Sequence, residues 1–139
     1  MNTLKKKTKI KILVFPKDMN PYQELLYKKL SQKNNLVITY LETGFLNSQT
    51  LGLILLPFRL IKYWLKHYNI FHLHWTYAFK FSIESKIFQN FLTRAFFLIY
   101  FILFLKLIKL LNFKLIWTVH NVLPHEKQFA NDVWARRFL

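Results

Sequence analysis

Hydrophobic positions change period several times along this chain, and each change predicts an element. "KIKILVF" (Lys9–Phe15) is a short apolar run rich in β-branched residues, the pattern of a buried strand, and Pro16 ends it. In "NPYQ", Asn20 suits a helix N-cap, Pro21 the first helical position, and Gln23 the third residue of a capping box. The helix that follows repeats Tyr22, Leu25, Leu26 and Leu30 at helical spacing, sets Lys28, Lys29 and Lys33 opposite, and ends near "KNN". "LVITYL" (Leu36–Leu41) reads as a second strand and "ETGFLNSQT" as a loop. "LGLILLPFRLIKYWLKHY" is helical in pattern, with Pro57 placed to kink or divide it. "IFHLHW" (Ile70–Trp75) and "FKLIWTV" (Phe113–Val119) read as a third and a fourth strand.

Strands separated by helix-length segments imply right-handed crossovers, so the expected fold is α/β: one Rossmann-like domain over 1–139, its parallel sheet flanked by helices on both faces. Short crossovers favour the strand order 2-1-3-4. Between the last two strands, Ala95–Leu105 is apolar for eleven residues, after which Lys106 and Lys109 interrupt an otherwise apolar stretch. A membrane span needs ~20 apolar residues, and runs of ~10–14 more often mark a buried or interfacial helix. On a helical projection Arg94, Lys106, Lys109 and Asn112 share a side with Leu98, Ile102 and Leu105, as in a helix lying on a bilayer with snorkelling lysines. The alternative is a small integral membrane protein whose segment 92–111 spans the bilayer.

Composition narrows the function classes. The chain has 139 residues, enough for one core, and is 53% hydrophobic and 19% aromatic, which excludes a disordered tail. Its formal net charge of +15 draws it to polyanions. No nucleic-acid motif accompanies that charge, and the aromatics sit inside apolar runs instead of alternating with Lys or Arg, so nucleic acid is not the expected partner. Cysteine is absent, which removes disulfides, thiolate nucleophiles and sulfur-based metal sites. The apolar run Ile12–Phe15 is too short for the core of a signal peptide.

In open parallel sheets, ligands bind beyond the carboxyl ends of the strands. Asn20 and Tyr22 follow strand one, His74 and Trp75 close strand three, and His120 and Asn121 follow strand four, in "WTVHNVLPHE", so all belong to one rim. His72 and His74 share a strand face, with His72 expected beneath the sheet and His74 in the cleft. With His120 they would make a three-imidazole metal site, but no carboxylate is placed to orient them, and no metal is expected. Trp75 suits either a sugar face or the core. Asn20 and Tyr22 sit at a helix amino terminus, an anion-binding position as well as a plain cap.

A parallel α/β start, "NPYQELLYKKL", "IFHLHW" and "KLIWTVHNVLPHE" together resemble the amino-terminal domain of a GT-B glycosyltransferase of the family 4 (group 1) type, as in bacterial polysaccharide biosynthesis. The resemblance implies an acceptor-side domain whose partner domain holds most nucleotide-sugar contacts. It also implies a cytoplasmic, peripheral place on the plasma membrane and a lipid-linked or polysaccharide acceptor. No cofactor or metal is implied, the nucleotide sugar being a substrate. The sequence departs from the pattern in replacing the Gly-rich turn after strand one with "PKDMNPY" and in lacking a second domain after "NDVWARRFL", so the expected state is an incomplete enzyme, or one completed by a separate chain. By motif, His120 matches the loop histidine that contacts the transferred sugar; the alternative is a residue capping the strand end. Glu126 is the base candidate and His125 an acceptor contact, against the reading that both open the next helix, where a carboxylate meets the helix dipole favourably. Asn121 is either a ligand contact or a turn residue tolerating left-handed geometry.

Overall fold

The computed structural model describes residues 9–17, 21–33, 35–42, 44, 49–79, 91–119 and 129–139. Four strands, β1 (Ile10–Phe15), β2 (Leu36–Tyr40), β3 (Ile70–Leu73) and β4 (Lys114–Trp117), form one parallel sheet in the order β2-β1-β3-β4. The α/β fold class and the expected order are both present. Side-chain alternation sorts the sheet into two faces. Leu13, Phe15, Phe71 and Leu73 enter the large core cluster, joined at its margin by Leu115 and Trp117, whereas Ile12, Val14 and His72 point the other way, toward Tyr27.

The first face carries most of the helix. α2 (Gln49–Ile54) and α3 (Leu56–Leu65) are divided at Leu55, with Pro57 in the first turn of α3. Proline at 57 has no N–H to give the Leu53 carbonyl four residues back, and the Tyr100 hydroxyl donates to that carbonyl instead. Tyr100 belongs to α4 (Phe91–Leu110), so the donor that the proline removes is supplied by the neighbouring helix. Phe97, Phe101, Phe104 and Ile108 of α4 recur at helical spacing and are buried, Phe104 with its ring 5.7 Å from Phe71. A 3₁₀ turn, Thr76–Phe79, sends Phe79 into the same cluster, 4.9 Å from the Phe101 ring. α5 (Asp132–Arg136), capped by the Asn131 side chain on the Trp134 N–H, returns the chain to α4, with Phe129 stacked 5.1 Å from Phe101.

Two sequence readings of helix faces are corrected. On α4, the side assigned to Arg94, Lys106 and Lys109 is a flank on which Leu98 and Leu105 are buried. The face turned fully away from the sheet is instead apolar: Leu92, Phe96, Ile99, Leu103 and Leu110 are exposed, and among them only Lys106 is charged. α1 (Pro21–Lys33) is out of phase with its apolar stripe. Tyr22, Leu25 and Leu30 are exposed, while Gln23 and Tyr27 are buried against the second sheet face. The reason is chemical, because that sheet face presents histidines, and the helix over it needs hydrogen-bonding tips at its buried positions.

Candidate functional site

The carboxyl ends of β1, β3 and β4 are tied together by backbone bonds: the His74 N–H donates to Phe15 O at 2.8 Å and the Thr118 N–H to Leu73 O at 3.0 Å. Pro16, His74, Trp75 and Thr118 therefore stand along one edge. The amino terminus of α1 lies beside them, for the Gln23 amide donates to Pro16 O at 3.0 Å. Of the expected rim residues, Tyr22 and His74 meet here, and Trp75 follows His74 along the chain. Asn20, His120, Asn121, His125 and Glu126 lie outside the described residues, as does the proposed capping of α1 by Asn20.

His74 departs from expectation in its exposure. Strand β3 ends at Leu73, one residue before it, and its ring is turned under the edge with 1% of the residue accessible. It sits edge-on to Tyr22 and Tyr27, at 6.3 and 6.2 Å between ring centroids, and 4.3 Å from the His72 ring. Trp75 is half-buried and Tyr22 half-exposed. The accessible groups at this edge are thus the Tyr22 phenol and the half-buried Trp75, and His74 is a floor beneath Tyr22. Tyr22, the second residue of α1, stands over it.

Below that floor runs a hydroxyl–imidazole–hydroxyl chain absent from the sequence reading. The Tyr27 hydroxyl bonds His72 Nδ1, and His72 Nε2 lies 2.7 Å from Thr118 Oγ1. A neutral imidazole donates from one nitrogen and accepts at the other, so one hydroxyl must donate to the ring and the other accept from it. The chain links α1, β3 and β4 through side chains that the periodicity leaves unmarked. Its one sequence signal is that Gln23 and Tyr27, four apart on α1, both carry hydrogen-bonding tips. Burial raises the Tyr27 pKa, with Tyr40 and then Tyr22 adding to the effect, so its phenol stays protonated well above neutral pH.

Both His72 nitrogens are thus held by hydroxyls, which argues against a metal on this pair. Among the described residues no three His, Cys, Asp or Glu side chains come together to hold an ion. At the next strand end Lys17 pairs with Glu42 at 3.2 Å on the surface, a contact worth little in water. Compared with protein-family models, with curated proteins and with solved structures, the chain matches none.

Proposed function

We propose that this chain is the acceptor-side domain of a glycosyltransferase that moves a sugar from a nucleotide-sugar donor to a lipid-linked or polysaccharide acceptor. The observation carrying the reading is the placement of Tyr22 and Trp75 at the carboxyl edge of a 2-1-3-4 parallel sheet, beside the end of β4 that precedes "HNVLPHE" in sequence. Aromatic rings and hydroxyls suit a carbohydrate, whose CH faces stack and whose hydroxyls bond. In transfer, an acceptor hydroxyl attacks the anomeric carbon, the bond to the nucleotide diphosphate breaks, and the hydroxyl proton passes to a base, for which His120 and Glu126 are the candidates. Asn20, Asn121 and His125 are proposed to contact the acceptor from the same loops, and the donor is held mainly by a second domain, on this or another polypeptide.

Titration calorimetry with a short-chain prenyl-diphosphate monosaccharide tests the reading. The chain is expected to bind it, and Tyr22→Ala and Trp75→Ala each to weaken binding about tenfold, the worth of a stacking ring. No binding, or binding unaffected by either change, rejects it. In the assembled enzyme, His120→Ala is expected to suppress sugar transfer with little change in folding; near-normal turnover removes it from the site.

The integral-membrane reading rests on α4, which is 20 residues long with a mean hydropathy of 2.1 over its candidate span. Against it stands the seating of Phe97, Phe101, Phe104 and Ile108 in the sheet core, which a span through lipid would dismantle. Alkaline carbonate releases a peripheral protein and leaves a spanning one in the membrane.

A further inference from the structure

We infer that the outer faces of α3 and α4 together form a docking surface for an anionic lipid bilayer, seated with the carboxyl edge of the sheet tilted toward the lipid. Both helices bury one side in the same cluster and touch each other, so their opposite sides look outward together. On α4 that side is Leu92, Phe96, Ile99, Leu103 and Leu110, at 57–80% exposure, a stripe about 27 Å long at 1.5 Å per residue. On α3 it is Phe58, Ile61 and Leu65, at 67%, 37% and 65%. These eight side chains leave on the order of 1,000 Å² of apolar surface in water, beyond the ~300–600 Å² of a typical monomer's largest patch.

Charge selects the occupant. Residues 49–79 and 91–119 contain no Asp or Glu, and Lys62 and Lys66 at the end of α3 with Lys106 and Lys109 near the end of α4 border the patch. A second copy of the chain would set these cations against their own kind. An anionic headgroup layer neutralises them while the acyl region takes the apolar rows, and the long lysine stems reach back to the headgroups.

The tilt follows from how the cations are distributed. As crossover helices, α3 and α4 run against the strands. Arg59 early in α3 donates to Glu42 O beyond β2 at 2.8 Å, and Lys11 near the start of β1 donates to Lys66 O at 2.6 Å. On α4, Tyr100 and Phe101 meet Phe79 beyond β3, and Ile108 O accepts from the Phe113 N–H just before β4. In the carboxyl-edge halves of the patch, Phe58 with Leu92, Phe96 and Ile99, the cations are Arg59, turned to Glu42 O, and Arg94, both half-buried, whereas the exposed Lys62, Lys66, Lys106 and Lys109 sit toward the amino edge. The carboxyl-edge halves, free of exposed lysines, sink further, bringing the rim that carries Tyr22 and Trp75 toward the membrane. This inference stands independently of the glycosyl-transfer reading.

Vesicle sedimentation of the full chain tests it. Phosphatidylcholine vesicles containing phosphatidylglycerol are expected to pellet the protein, added salt to weaken the binding, and pure phosphatidylcholine to bind it less. Phe96→Glu and Leu103→Glu, at exposed positions that leave the fold's circular dichroism unchanged, are each expected to cut partitioning about tenfold or more; Leu25→Glu on α1 leaves it unchanged. Because the native chain has no cysteine, Leu92→Cys and Leu110→Cys accept an environment-sensitive dye singly, and the label at 92 is expected to report the more apolar surroundings. Protein left in the supernatant, or undiminished binding of both glutamate variants, overturns the docking surface. So does a dimer in light scattering that these variants dissociate. Equal labels, or a reversed order, overturn the tilt.

Discussion

Tyr100→Phe tests whether a side chain on one helix replaces a backbone donor missing from another. The Leu53 carbonyl is in a residue with 2% exposure, its usual helical donor is absent because residue 57 is proline, and the Tyr100 hydroxyl occupies the vacancy. Burial raises the Tyr100 pKa, so the phenol keeps its proton and remains a donor. Removing it leaves a buried acceptor short of a partner, which costs ~1–3 kcal/mol. The central expectation is a loss of about 2 kcal/mol, or roughly 6 °C in Tm for a domain of this size. Pro57→Ala returns an N–H to position 57, so in that background Tyr100→Phe is expected to cost less than about 1 kcal/mol, a coupling of about 1 kcal/mol between residues that belong to different helices. Urea unfolding followed by circular dichroism measures all four corners of the cycle. Additive effects, or a Tyr100→Phe protein as stable as the parent, refute the reasoning.

Tyr27→Phe and Thr118→Val each remove one end of the His72 chain, and each is expected to cost about 1–2 kcal/mol in denaturant titration, with the double variant costing less than the sum because both bonds share one ring. Phe101→Ala opens a cavity among Phe79, Phe129 and the rest of the core, and is expected to lose ~3–5 kcal/mol, which thermal unfolding reads directly. Tyr27 and Tyr100 hold their protons more tightly in the folded chain than in the unfolded one. Stability from these phenols is therefore level below about pH 10 and falls as pH rises above it toward their folded pKa values. A pH series of unfolding free energies should show that fall, and Tyr27→Phe with Tyr100→Phe should flatten it; an identical slope in the double variant counts against buried phenols as its source.

Local pattern settled much of this molecule. The four strands fall where the short apolar, β-branched runs put them and α1 where the 3.6 period puts it, Pro57 divides its helix, and helix-length crossovers lead to the order 2-1-3-4. Such features depend on residues close in sequence and on a chirality common to all L-polypeptides. What pattern did not settle is which face of an element is covered. Between Arg94 and Lys106 α4 is apolar on every side, so its pattern does not distinguish the side taken by the sheet from the side left in water, and only the positions of Phe71 and Phe79 decide it. On α1 Leu25 and Leu30 are exposed and Leu26 only half-buried, whereas Gln23 with Tyr27 are buried, because His72 and His74 lie beneath them and hydrogen bonding outranks hydrophobicity at that contact. The covering of His74 has the same origin. Its place at the strand end is written in "IFHLHW", but its burial comes from two tyrosines some fifty residues earlier, brought over it by a helix that packs on the same sheet.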